Sequence, residues 1–191
     1  MWQARLTLFE IIEGGSQFWC DQVEEHGVID VVERLQNRLY DPIKYEKLYH
    51  RLSAANPDRA SERIEAMGAI FLTPEDERWP VMLRDLACPP IGLIVRGNPA
   101  HLSQDSVAIV GTRNPTAYGV RNAGDFAAGF VDRGWSIVSG GAYGIDSAAH
   151  KGALIAEGTT IAVLASGLDV MYPAGNARLF AEIAESGALV S

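Results

Sequence analysis

Four apolar runs, ending near Val110, Val138, Leu164 and Val190, recur at intervals of 28, 26 and 26 residues. After each of the first three comes a glycine-containing loop, then a stretch with apolar residues three and four apart, the helical period. A chain written strand–helix–strand–helix–strand–helix–strand has few ways to fold. Neighbouring parallel strands need a crossover, the crossover is usually a helix, and nearly all such crossovers are right-handed. The pattern predicts an α/β fold: an extended Rossmann-like, doubly wound parallel sheet with helices on both faces. Such a sheet has five or six strands. Four are counted here, so the sequence is expected to be a piece of a longer protein.

The first third is written differently. Residues 1–65 hold helix formers with breaks at Gly14-Gly15, Gly27 and Asp41-Pro42, which predicts a small all-helical domain. The Gly14-Gly15 turn is open to two readings, a helix-hairpin-helix whose amides hold a phosphate, or an ordinary interhelical turn. From residue 66 a second domain is expected to run to 191. It begins with a strand over Ala69 to Leu72, a proline-flanked helix, and a strand over Ile91 to Arg96.

Ligands of doubly wound sheets bind beyond the carboxyl ends of the strands, so the chemistry is sought in three loops. The first, 111–119, turns on Gly111. Thr116 or Asn114 is placed to cap the next helix, whose N-terminal amides favour an anion. Arg113 adds a permanent positive fork suited to phosphate. The second loop, 139–146, offers Gly140 and Gly141 for close main-chain approach, and a second helix start near Ile145. The third, 166–176, leads to Tyr172, Asn176 and Arg178. Tyr118 and Tyr172 are suited to stacking on bases.

A nicotinamide dinucleotide is not expected. The G-x-G-x-x-G fingerprint is missing, with Arg113 in the second glycine's place, and the second strand ends in Ser139 rather than in an acidic residue. Asp146 and His150 share a helix face. They read either as an acid/base pair or as a helix-start carboxylate beside a buried, hydrogen-bonded imidazole. Lys151 reads either as a phosphate contact or as a solvent-facing lysine. An enzyme acting on a nucleotide or sugar phosphate is thus the alternative to a nucleic-acid binder. No cofactor and no metal site are expected.

The net charge of −8, from 16 basic and 24 acidic residues, excludes a generic basic coat and leaves room only for a local basic site. Cys20 and Cys88 are too few for a disulfide framework and fit a reducing compartment. No apolar run spans a membrane and no secretory signal is evident, so a cytoplasmic protein is expected.

The stretches WPVMLRDLACPPIGLIVRGN, VAIVGTRNPTAYG, SGGAYGIDSAAHKGAL and TIAVLASGLDVMYP, followed by GALVS at the end, resemble the DNA-processing protein A (DprA, or Smf) family in content and order. The helical N-terminus resembles the sterile-alpha-motif-like (SAM-like) domain of many members. The resemblance implies an extended Rossmann fold that binds single-stranded DNA, protects incoming strands in natural transformation, helps to load the recombinase RecA and forms a homodimer, rather than catalysing a reaction. It carries a phosphate-binding turn onto Gly111, Thr112 and Arg113, a glycine-rich turn onto Ser139, Gly140, Gly141 and Gly144, and DNA-contacting positions onto Asn176 and Arg178. Tyr143 stands where the family often has arginine, and Thr112 where serine is usual. Much of the dimer and RecA surface is expected in a C-terminal part that this sequence lacks.

Overall fold

A computed structural model describes all 191 residues. The chain divides into two compact units: Met1–Ala66 with Phe71–Leu93, and Met67–Ile70 with Ile94–Ser191.

The first unit holds helices α1 (Trp2–Ile11), α2 (Gln17–Gln36), α3 (Glu46–Ala54) and α4 (Pro57–Ala66). Gly14-Gly15 lies in the turn between α1 and α2. The break expected at Gly27 is present: its φ of 79° and ψ of 155° are not helical, and two helices meet across a kink there within α2. The apolar spacings converge on a core of Leu8, Ile11, Trp19, Val31, Leu35 and Leu48, against which Ile91 also packs. Phe71 meets the rings of Trp2 and Phe9 edge-on. These contacts explain why residues 71–93 group with the helices rather than with the sheet. The proline-flanked helix is a short 3-10 turn, Val81–Asp85. Cys20 and Cys88, read from sequence as too few for a framework, form a single disulfide with Cα atoms 5.5 Å apart. Their 68-residue separation leaves no local pattern by which a sequence could announce the pair.

The sheet has six strands: β1 (Ala69–Leu72), β2 (Leu93–Gly97), β3 (Ser106–Ala108), β4 (Ser136–Ser139), β5 (Thr160–Val163) and β6 (Ala188–Val190). Their order is β1-β2-β6-β5-β4-β3. The predicted parallel set, β3 to β6, is present in register, with Val107 beside Ile137 and Ile161 beside Ala188. β2 joins β6 antiparallel, Val95 opposite Val190. Helices α5 (Ala117–Val131), α6 (Ile145–Ile155) and α7 (Ala177–Ser186) make the crossovers.

The four parallel strands follow chain order without a reversal, and α6 packs on both α5 and α7. Right-handed crossovers then put all three helices on one face. Their core there is Ile137, Ala127, Ala149 and Ala153, joined by Val107, Ile109 and Phe130. Ala108 and Val163, which alternate to the opposite face, are exposed. Helices on both faces were expected and are found on one, because periodicity gives the elements but not their lateral order. α5 and α6 touch backbone to backbone: a Cβ on Gly152 would lie 2.5 Å from the Gly124 carbonyl oxygen.

Candidate functional site

Because β3, β4 and β5 are parallel, the loops that follow them emerge at one end of the sheet. Loop one runs into α5. Thr116 caps that helix, its Oγ1 accepting from the Gly119 N–H at 3.2 Å. Thr112 folds back locally, its Oγ1 accepting from the Asn114 N–H. The hydroxyl expected for phosphate is thus committed through its lone pair but keeps its proton free to donate.

Loop two docks directly on loop one. The Ile145 N–H, at the start of α6, donates to the Thr112 carbonyl at 3.2 Å. Gly144 makes this approach possible. It sits at φ 86° and ψ −123°, and a Cβ there would lie 2.3 Å from the Thr112 oxygen. Such backbone suits glycine alone. The starts of α5 and α6 therefore stand side by side, each carrying partial positive charge. The Gly119, Ile145 and Ser147 amides are already engaged within the loops, which leaves the Ala117, Tyr118 and Asp146 N–H groups.

Arg113 lies on the turn between them. It is exposed and forms no ion pair with any carboxylate of its own unit. The guanidinium is therefore available to a ligand. Lys151 is likewise exposed. Arg178 is not free in the same way: its Nε donates to Glu182 one turn along α7 at 2.9 Å, with the side chain 93% exposed. A surface pair of this kind contributes little and is readily exchanged for a phosphate.

Three predicted contacts face inward. Ser139 is buried and its hydroxyl donates to the Ile109 carbonyl at 2.7 Å. Gly141 is buried beneath Phe180. Asn176 is also buried; its amide donates to the Gly141 carbonyl and to Ser147 Oγ, both at 2.9 Å. Ser139 and Asn176 hold the loops in place instead of reaching outward. Asn176→Ala strands the Gly141 carbonyl, and we expect a stability loss of about 2 kcal/mol, read as a shift in the urea midpoint. An unchanged midpoint contradicts this brace.

The surface is completed by three tyrosines. Tyr118 on the first turn of α5 is 74% exposed, Tyr143 in loop two 49% and Tyr172 in loop three 65%. A Cβ on Gly175 would come within 2.5 Å of the Tyr143 hydroxyl, so the phenol rests on bare backbone of loop three. The site is an open, glycine-paved ledge with amide ends, one free guanidinium and exposed aromatic rings.

Asp146 and His150 lie outside it. His150 is fully buried, and Asp146 accepts from the Ala142 N–H while 6% exposed. The Thr160 hydroxyl gives its proton to the Ile137 carbonyl, so at the 2.7 Å contact it must accept from His150 Nδ1. Nε2 then carries a lone pair with no partner. Burial pushes the imidazole down to about 4, against a smaller upward pull from Asp146. The imidazole is a neutral core residue, and the acid/base reading of the pair has no solvent-facing group to work with. No three His, Cys, Asp or Glu side chains come together to hold a metal.

Comparisons with known proteins follow the same outline. The sequence model of the family described as DNA recombination-mediator protein A matches residues 70–191. The chain is 38% identical over 180 residues to a putative DNA processing protein DprA of Mycobacterium tuberculosis, covering 85% of this chain and 45% of that protein. It is 33% identical over 160 residues to DNA processing protein DprA of Bacillus subtilis, covering 82% and 54%. The X-ray structure of DprA from Streptococcus pneumoniae superposes with a TM-score of 0.75 at 26% identity, over 98% of this chain and 65% of that one. DprA of Helicobacter pylori, in a structure concerned with that protein's single-stranded DNA binding mode, matches 65% of this chain and 56% of its own, with a TM-score of 0.57 and 34% identity. The chain thus spans about half the length of these curated relatives.

Proposed function

Since the chain belongs to the DNA recombination-mediator protein A family, we propose that its three-loop ledge binds single-stranded DNA without performing a reaction on it. Phosphates sit against the amides of α5 and α6 and against Arg113, with Gly111, Thr112, Gly140 and Gly144 lining the approach and Lys151 and Arg178 available alongside. Bases stack on Tyr118, Tyr143 and Tyr172. The observation that carries this reading is the exposed, unpaired Arg113 guanidinium placed on the turn between two adjoining helix starts. We further propose that the full-length protein acts in the cytoplasm, protects incoming strands during transformation, hands them to RecA and works as a homodimer.

Arg113→Ala is expected to weaken binding of a fluorescein-labelled oligo-dT by about tenfold or more, roughly 1.5 kcal/mol for one charge-assisted contact. Anisotropy titration measures it, and unchanged affinity in a folded variant removes the proposal's anchor. Residues 1–65 carry 8 basic and 12 acidic side chains, and residues 66–191 the same numbers. Binding should therefore depend only modestly on salt, log affinity falling by about 0.7 per neutralised phosphate against log salt. A slope equivalent to about eight contacts per protomer contradicts a local site. The same ligand should raise the melting temperature more than AMP or NAD does; the opposite ranking favours a nucleotide-acting enzyme.

A further inference from the structure

The disulfide has no part in the ledge, and nothing in the DNA-binding reading requires it. Cys20 lies one turn into α2, and Cys88 in the irregular stretch between the 3-10 turn Val81–Asp85 and β2. Both are half-buried. The 5.5 Å between their Cα atoms is in the range that a disulfide spans without backbone movement. Beside the sulfurs opens a cleft of about 370 Å³, lined by Cys20, Val23, Glu24, Trp79, Arg84 and Pro89 among others. The indole Nε1 of Trp79, a side chain only 2% exposed, has no hydrogen-bond partner there.

The stretch carrying Cys88 is held at its two ends, by the buried Trp79 and the Arg5–Glu75 ion pair on one side and by Ile91 on the helical core at the other, and is open between them. Val81, Met82 and Leu86 are each at least 50% exposed. Arg84 reaches the Pro74 carbonyl at 3.3 Å, and Arg5 the Ile91 carbonyl at 3.1 Å. The bridge is the one covalent tie between this stretch and α2. A sulfur pair with backbone already in place, partial exposure and a cleft at its side meets the requirements for exchange with a small thiol.

We propose that Cys20 and Cys88 form a redox-operated staple: oxidation fastens the exposed middle of the 74–92 stretch to α2, and reduction loosens it. The co-reactant is a low-molecular-weight disulfide of the glutathione class. One protein thiolate attacks a sulfur of that disulfide, forming a mixed disulfide and expelling the first small thiolate. The second protein thiolate then attacks the protein sulfur of the mixed bond and expels the second. Two protein thiols and one small disulfide become one protein disulfide and two small thiols, and the reverse sequence opens the staple. Both a cation, Arg84, and an anion, Glu24, line the cleft.

The test uses the 191-residue chain in a series of reduced and oxidised glutathione mixtures, quenched with a maleimide that adds visible mass to free thiols. Both thiols should disappear together in a transition that follows the ratio of squared reduced to oxidised glutathione and does not depend on protein concentration, with a 2 Da loss in intact mass. Persistent mixed disulfides, intermolecular dimers, or thiols that stay free in excess oxidised glutathione overturn the proposal. Reduction should lower the melting temperature by roughly 5–10 °C, as expected for opening a long loop in a domain of this size. Cys20→Ser and Cys88→Ser should melt like the reduced chain in any mixture. Coincident melts of the oxidised and reduced wild-type chain overturn it too, and that comparison needs no variant to fold.

Discussion

Replacing Gly144 with alanine lowers the stability of the chain by about 3 kcal/mol, from backbone strain and overlap together. The residue's φ of 86° and ψ of −123° lie where side chains are strained whatever the space around them. The methyl would also come to 2.3 Å from the Thr112 oxygen and 2.8 Å from the Arg113 carbonyl carbon. Neither is a flexible side-chain tip; both are main chain of loop one. Relief requires loops one and two to separate, breaking the Ile145 to Thr112 hydrogen bond and moving Arg113. Gly134 supplies the control. It has φ 83°, yet a Cβ there meets nothing within 4 Å, so Gly134→Ala costs strain alone, about 1 kcal/mol. Urea unfolding of the two variants measures the difference. Binding of oligo-dT by Gly144→Ala, at a temperature where it is folded, should fall by at least about tenfold. Equal costs at the two positions would show that the two loops do not depend on each other.

The second large effect is acid lability from His150. Its unfolded-state value is near 6.5 and its folded value about 4, with desolvation as the cause. Between those values the unfolded chain binds a proton that the folded chain refuses, so stability falls as pH falls. The contribution is complete above about pH 6.5, declines toward pH 4 and levels off below it, for a total near 3 kcal/mol. Nε2 is the atom that would take the proton, and it faces no acceptor. Urea midpoints from pH 7.5 to 4 should drop in the wild-type chain, and this part of the slope should vanish in His150→Phe. If that variant does not fold, NMR of the wild-type imidazole gives the answer: its resonances should not move between pH 8 and 5. A titration near 6.5 in the folded chain rejects the assignment.

The two units differ in how far their sequences foretold them. In residues 106–190 each strand, loop and helix fell where an apolar run gave way to glycine and then to a helical period, because backbone propensity and burial agree there. The orientation of β2 and the one-sided placement of the helices are properties of lateral order, which no local pattern records. In the three loops, the turn at Gly111, the exposed charge of Arg113 and the cap at Thr116 were legible because each has a local signature. Ser139 and Asn176 were misread as outward contacts. A polar residue at a loop edge looks the same whether it meets solvent or a buried carbonyl, and only the fold distinguishes Gly141's carbonyl from water. The break at Gly27 was legible because glycine readily takes the non-helical backbone found there.

The glycine-to-glycine meeting of α5 and α6 has an electrostatic consequence. Two parallel helices that meet backbone to backbone at Gly124 and Gly152 carry like partial charges at the same end, and those ends repel. The empty protein thus holds a small amount of unfavourable energy at the ledge, sustained by packing further along the helices. An oxyanion arriving there neutralises both ends at once. Occupancy should therefore tighten the helix pair itself, so that slowed amide exchange deep in α5 and α6, far from any contact with the strand, reports that the ledge is filled.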